Sequence, residues 1–147
     1  TMVAQINKSL NVNAWNATAP IENEEELDKH SFVKCSTTLE NDILYCFRRS
    51  PCYSDFKVQQ RFIRKILGLI AYKKEFLLRI VDLPETAIAE SEFIEQMQII
   101  ESNFNLKSVP VSPSLPSVNE PNEVQVVLDY LEDNIEQRDI LKGLLLV

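Results

Sequence analysis

Apolar residues recur along the middle of the chain at spacings that fit one face of an α-helix. Two rows repeat every seven positions, a spacing shared with coiled coils: Phe56, Ile63, Ile70 and Leu77, and Phe62, Leu69, Phe76 and Leu83. With Ile66 and Leu67 between these rows, the apolar arc covers more than half of the helix circumference, so the helix must be packed from several sides. The pattern therefore predicts a central helix over 54–83.

Shorter helices are predicted on either side of this segment. Thr38 is a suitable N-cap for a first helix that ends near Ser50-Pro51 and carries Leu39, Ile43, Leu44 and Phe47. A third helix is predicted over 85–104, because its acidic first turn suits the helix dipole and one face carries Phe93, Met97, Ile100 and Phe104. Together with the central helix, these segments predict a helical core over 31–105.

The two ends of the chain have a different character. Residues 1–30 are polar and acidic without a sustained period, which predicts a flexible arm in which Trp15 is the exception. Four prolines in 106–122 predict an extended strap, and 123–147 predicts an amphipathic C-terminal helix. The predicted fold class is therefore all-α: an antiparallel helical bundle with a flexible N-terminal arm and a proline-rich strap before a C-terminal helix.

Glycine is scarce, and its scarcity bears on both fold and function. Only Gly68 and Gly143 occur in the chain. Phosphate-binding loops need several glycines so that backbone N–H groups can approach the ligand, which excludes a Walker loop and a dinucleotide fingerprint. Tight hairpins also favour glycine, so its scarcity supports the helical prediction.

Positive charge is concentrated in one segment of an acidic protein. Nine basic and two acidic residues lie between Arg48 and Arg79, in a chain whose net charge is −7. The candidate residues for an anionic partner are Arg48, Arg49, Lys57, Arg61, Arg64 and Lys65. Three interpretations stay open: neutralisation by the protein's own acidic segments, an acidic protein partner, and nucleic acid, which the sequence pI of about 4.8 disfavours.

No pattern indicates catalysis, a metal site or a cofactor. Cys35, Cys46 and Cys52 do not have zinc-finger spacing, and the single His30 cannot supply a second imidazole ligand. An odd number of cysteines without a secretion signal favours reduced thiols in an intracellular protein, nuclear or cytoplasmic. Because no catalytic pattern is found, we do not expect an enzyme. The sequence also lacks an uninterrupted apolar stretch of membrane-spanning length, so we do not expect a membrane protein.

The apolar surface that the predicted helices leave uncovered predicts a protein contact. We expect the residues that bind a partner, or a second copy of the chain, to be Phe76, Leu77, Ile80, Leu144 and Leu145. The predicted function is a non-enzymatic interaction or scaffold domain, a subunit of an intracellular complex. The alternative is a helix-turn-helix or winged-helix module that binds nucleic acid through the basic segment 48–79.

Overall fold

Strands, which the sequence pattern does not predict, form the centre of the structure. The computed structural model describes residues 2–9, 11–112 and 114–145, and of Leu145 only the backbone. The chain divides into two compact units, 1–113 and 114–147. The strands of the first unit are β1 (Ala14–Pro20), β2 (Lys34–Thr37), β3 (Ile43–Phe47), β4 (Ile63–Tyr72) and β5 (Leu106–Pro110). Its helices are α1 (Met2–Lys8), α2 (Glu25–Asp28), α3 (Phe56–Gln59), α4 (Lys74–Ile80), α5 (Ala87–Glu92) and α6 (Gln96–Glu101).

The five strands form one mixed sheet in the order β3-β2-β4-β1-β5. Strands β1 and β5 are parallel, and the other pairs are antiparallel. The turn before β3, at one edge of the sheet, also contacts β5 at the other edge. Asp42 of this turn forms a β-bridge with Lys107 of β5, and the two side chains form an ion pair of 2.9 Å. The prediction of an all-α bundle is wrong, because the first unit is an α/β structure.

The predicted central helix is the largest error, since its residues form α3, β4 and α4. Ile63, Ile66 and Ile70 are β-branched and pack well on a pleated surface. A bulge in β4 explains the helix-like spacing, because Asn16 pairs with Ile70 while Thr18 pairs with Ile66. Four positions of β4 therefore match two of β1, and two isoleucines four residues apart occupy adjacent sites on the sheet.

The segment predicted as a flexible arm supplies an interior strand. Between Ala14 and Ala19 every residue of β1 is buried, and Trp15 is 1% exposed. Both faces of the strand are covered, so the usual alternation of polar and apolar residues is absent. The buried Asn16 and Thr18 hide the strand further, because polar residues at these positions resemble a solvated loop.

Two other predicted helices also differ from the structure. Leu39 is exposed in a turn, and the first predicted helix is replaced by β2 and β3. The third predicted helix is interrupted at Phe93, whose φ of 54° is left-handed and ends α5. The predicted strap contains β5, which tolerates Pro110 at its end because it is an edge strand.

The core has one main cluster on the face of the sheet that α4, α5 and α6 cover. Its buried members are Ala14, Cys35, Ile43, Cys46, Phe76, Ile94, Met97, Ile99 and Leu106. A smaller cluster lies beneath α2 and contains Ile21, Leu27, Phe47 and Ile63. A third cluster joins Trp15 to Val12 and Val109 and packs against Ile6 of α1.

The second unit is helical. A 3₁₀ turn (Pro121–Glu123) leads into α7 (Val124–Asp133) and then α8 (Ile135–Leu145). Glu120 and Glu123 form a capping box at the start, with Pro121 at the first position. Throughout the described parts of the chain, helices fall short of the length and apolarity needed to cross a membrane.

Candidate functional site

A cavity of about 610 Å³ opens beside α5 and α6 in the first unit. A volume of this size is typical of small-molecule sites. The lining combines apolar side chains with carboxylates and amides, contributed by Val33, Glu85, Ala89, Glu90, Phe93, Ile94, Glu95, Gln96 and Gln98.

Glu101 of α6 fixes the beginning of α5, the helix that forms one wall of the cavity. Its carboxylate accepts hydrogen bonds from the Thr86 hydroxyl at 2.6 Å and from the N–H groups of Ile88 and Ala89 at 3.1 Å. Desolvation acts to raise the pKa of Glu101, but these three hydrogen bonds together lower the pKa below its usual value. Glu101 therefore acts as an N-terminal cap supplied by the neighbouring helix.

Arg48, at the end of β3, fixes the other end of α5. Its guanidinium donates to the carbonyl oxygens of Glu92 at 3.0 Å and Phe93 at 3.3 Å, and also to that of His30 at 3.0 Å. A cation at a helix C-terminus is stabilised by the helix dipole. These bonds hold the Phe93 backbone in its left-handed conformation, with the ring 83% exposed at the cavity.

Amide side chains position the remaining wall. Gln98 donates from Nε2 to the carbonyl oxygens of Leu83 at 3.0 Å and Pro84 at 3.2 Å, which ties α6 to the segment that precedes α5. Gln96 donates from Nε2 to Asn16 Oδ1 at 3.1 Å, which ties α6 to the centre of the sheet.

The polar lining suits a ligand that donates hydrogen bonds. Glu85, Glu90 and Glu95 supply acceptor oxygens, and the lining includes no lysine or arginine. A ligand rich in hydroxyl groups matches this surface, whereas a phosphate group would be repelled by the carboxylates. Within the described residues, no three His, Cys, Asp or Glu side chains are grouped to hold a metal ion.

A second group of charged residues is buried on the sheet face beneath α2. Lys65 forms an ion pair of 2.7 Å with Glu26, and both side chains are almost fully buried. Lys34, the cross-strand neighbour of Lys65, is buried and donates to the Lys29 carbonyl oxygen at 2.7 Å. Desolvation, with Arg48 adding repulsion, lowers the pKa of Lys34 to about 8, although Asp28 and Glu26 act in the opposite direction.

The residues predicted to bind an anionic partner differ in their surroundings. Lys65 is buried against Glu26, and Arg49 lies 3.7 Å from Asp28, so two of them meet the protein's own acidic segment. Arg64 donates to nearby backbone carbonyl groups, and Arg48 fixes the end of α5. Lys57 and Arg61 are exposed. Binding of an external anion by any of these residues stays a prediction.

The residues predicted to bind a protein partner also differ in their surroundings. Phe76 is 5% exposed and packs edge-on against Phe104 at 5.0 Å, so its ring belongs to the core. Ile80 is half-buried against the same cluster, whereas Leu77 and Leu144 are exposed. The Leu145 side chain lies outside the described residues. Partner binding through Leu77 and Leu144 stays a prediction.

The cavity residues carry little signal in the sequence. Glu95 and Gln96 are two polar residues within an apolar segment, a pattern that also fits the solvated side of a helix. Phe93 and Met97 were expected to share one core face, but only Met97 is buried, and its sulfur accepts a hydrogen bond from the Cys46 N–H at 3.1 Å. The left-handed residue between α5 and α6 separates the two side chains and opens the cavity.

Comparison with known proteins finds similarity to one group of enzymes, although no protein family model matches the chain. The 3-deoxy-manno-octulosonate cytidylyltransferase of Geotalea daltonii is 31% identical over 112 residues, which are 69% of this chain and 44% of that protein. Its namesake from Protochlamydia amoebophila is 29% identical over 115 residues, 76% of this chain and 44% of that protein. The Chlorobium luteolum protein of the same name is 30% identical over 107 residues, which are 72% of this chain and 42% of that protein.

A solved structure supports the α/β fold. CMP:2-keto-3-deoxy-manno-octonic acid synthetase, solved in complex with CTP, aligns with a TM-score of 0.76 at 21% identity. The alignment covers 89% of this chain and 54% of that one. At this identity the likeness establishes the fold alone.

These comparisons overturn the predicted function. The similar proteins are enzymes, so the prediction of a non-enzymatic scaffold is wrong, and the nucleic-acid module is not supported either. The named relatives are bacterial, so a nuclear localisation has no support among them. The chain spans less than half the length of the curated relatives that it matches.

Proposed function

We propose that this chain is part of a sugar-acid cytidylyltransferase and that it holds the sugar in the cavity beside α5 and α6. The observation that carries the proposal is the similarity of more than two thirds of the chain to 3-deoxy-manno-octulosonate cytidylyltransferases. The cavity supports it, because the matched fold presents a concave site of about 610 Å³ lined by hydrogen-bond acceptors. An intracellular localisation accompanies this proposal, since CTP is an intracellular nucleotide.

The sugar is a better candidate ligand for this chain than CTP. Triphosphate binding relies on glycine-rich loops or clustered cations, and the chain has two glycines and no cation among the residues that line the cavity. The sugar offers hydroxyl donors that match the carboxylates of Glu90 and Glu95 and the amide of Gln96. In a cytidylyl transfer, this chain would hold the acceptor, whose hydroxyl oxygen attacks CTP with release of pyrophosphate.

The carboxylate of a sugar acid requires a cation, and Arg48 is a cation whose guanidinium contacts the backbone of the lining residue Phe93. A guanidinium has five N–H groups, and three of those of Arg48 are directed to backbone carbonyl oxygens. Phe93, whose carbonyl oxygen accepts one of these bonds, lines the cavity. We place the ligand carboxylate at Arg48 and its hydroxyl groups toward Glu90, Glu95 and Gln96.

Titration of the ¹⁵N-labelled chain with 3-deoxy-manno-octulosonate, followed by NMR, tests the proposal. We expect saturable shifts at Glu90, Glu95 and Gln96, and no shifts there with CTP at equal concentration. Gln96→Ala should weaken sugar binding about tenfold through loss of a hydrogen bond. Gln60→Ala, which removes an exposed amide elsewhere in the first unit, is the matched control. Absence of saturable shifts with the sugar, or saturable CTP shifts at these residues, would overturn the proposal.

A further inference from the structure

Asn16 is a fully buried polar residue at the irregular point of the sheet. It lies in β1, where the β1–β4 register changes between Asn16 and Thr18. Its side chain is 0% exposed, and its Nδ2 donates to the carbonyl oxygens of Leu67 and Ala17, each at 2.9 Å. The bulge in β4 brings the Leu67 carbonyl within reach, so Asn16 satisfies a backbone group that the irregular pairing leaves available.

The carbonyl oxygens determine which way the Asn16 amide points. A carbonyl oxygen only accepts hydrogen bonds, so the NH₂ group of Asn16 must face Leu67 and Ala17. The Asn16 Oδ1 atom then faces α6, where it accepts from Gln96 Nε2 at 3.1 Å. Because Oδ1 only accepts, the Gln96 amide is oriented in turn, with its nitrogen toward the sheet.

This chain of hydrogen bonds defines the group that the cavity presents. Gln96 lines the cavity, and one N–H of its amide is committed to Asn16. Its carbonyl oxygen and its second N–H are not committed to Asn16, and the carbonyl oxygen can accept a hydrogen bond from a ligand hydroxyl. A hydroxyl group satisfies that oxygen, whereas a ligand group that only accepts hydrogen bonds does not.

We infer that Asn16 is a positioning residue, which acts through Gln96 to fix a hydroxyl-accepting oxygen in the cavity. The inference rests on the proposed function for the identity of the ligand. Asn16 is not among the residues that line the cavity, and its hydrogen bond to Gln96 connects it to the lining. Recognition therefore depends on an irregularity in the sheet that reaches the ligand through α6.

The first test observes the Gln96 side-chain amide without a ligand. In the unaltered chain, its ¹⁵N–¹H₂ signals should be shifted from those of exposed glutamines and should exchange slowly with solvent. Asn16→Ala should move these signals to the exposed range. Thr18→Val, a control in the same strand as Asn16, removes the buried 2.7 Å hydrogen bond between the Thr18 and Ser108 hydroxyl groups and should not move them. Unchanged Gln96 signals in Asn16→Ala would overturn the inference.

The second test is a double-mutant cycle for binding of 3-deoxy-manno-octulosonate, measured by calorimetry. Asn16→Ala should weaken binding roughly tenfold when Gln96 is present and should have no effect in Gln96→Ala. Equal weakening in both backgrounds would show a general structural role and overturn the positioning role. Absence of sugar binding by the unaltered chain would overturn the proposed function and the recognition role with it, while the amide signals would still report the orientation of Gln96.

Discussion

At the scale of single residues, the buried Lys34 places a cost on the fold that depends on pH. Its amine is buried, and desolvation lowers its pKa from 10.5 to about 8. The unfolded chain binds the proton more tightly than the folded chain, so the lysine destabilises the fold at neutral pH. This cost is relieved as the pH rises from about 8 to 10.5, where the folded amine is neutral while the unfolded amine is still charged.

Lys34→Met should remove this pH dependence. The free energy of unfolding of the unaltered chain, minus that of Lys34→Met, should rise by up to roughly 3 kcal/mol between pH 8 and 10.5. The buried cysteines have the opposite effect on stability, because burial raises the pKa of Cys46 to about 12 and also raises that of Cys35. Both proteins contain these cysteines, so their effect cancels in the difference.

Urea denaturation followed by Trp15 fluorescence measures this difference. Lys57→Met is the control, since Lys57 is exposed and its variant should give a flat difference across the same pH range. A flat difference for Lys34→Met as well would contradict the assignment of the cost to Lys34.

At the scale of elements, the walls of the cavity depend on how α5 ends. Phe93 adopts a φ of 54°, a conformation that favours glycine and costs other residues about 1 kcal/mol. The fold maintains it because Glu101 holds one end of α5 and Arg48 holds the other. The exposed ring recovers little of this cost by burial.

Replacement of Phe93 should reveal the strain directly. Phe93→Gly and Phe93→Ala both remove the ring, but only glycine removes the steric penalty of the left-handed backbone. We therefore expect Phe93→Gly to be more stable than Phe93→Ala by about 1 kcal/mol in chemical denaturation. Equal stability of the two variants would mean that α5 ends differently in solution.

At the scale of the whole molecule, the exposed apolar residues around α4 lead us to predict self-association. Leu77, Leu78 and Val81 are 44%, 62% and 73% exposed in and just after α4. Surfaces of this kind mark protein contacts. We predict a concentration-dependent association that salt changes little, because apolar contacts do not depend on screening.

Sedimentation velocity at low and high salt measures this association. Leu77→Asp should shift the chain toward the monomer by placing a charge in the contact. Leu39→Asp is the matched control, because Leu39 is 97% exposed in the turn before β3 and should have no effect. An unaltered chain that stays monomeric at every concentration would rule out this contact.

The sequence determined which residues are buried in the core better than it determined the elements in which they lie. Ile63, Phe76, Ile99 and Met97 are buried, as apolar residues of a globular chain should be. Helical spacing misplaced Ile63, which lies in β4, because the β4 bulge brings Ile66 and Ile70 into neighbouring sheet positions and periodicity cannot distinguish that arrangement from a helix turn. Phe76 lies in a helix as predicted, but it packs in the core and not at the surface where a partner contact was expected. The expectation that the chain lacks a glycine-rich phosphate loop depends on residue type and not on spacing, and it stays a prediction.

Only the tertiary structure decided where the candidate site lies. Asn16 and Gln96 are 80 residues apart, and their hydrogen bond exists because β1 runs through the interior of the sheet beneath α6. Pairing of distant strands is a non-local choice that local propensity does not encode. The charge pattern likewise showed an excess of positive charge, but not that Lys65 would be buried against Glu26, because burial is a property of the assembled sheet and not of the segment.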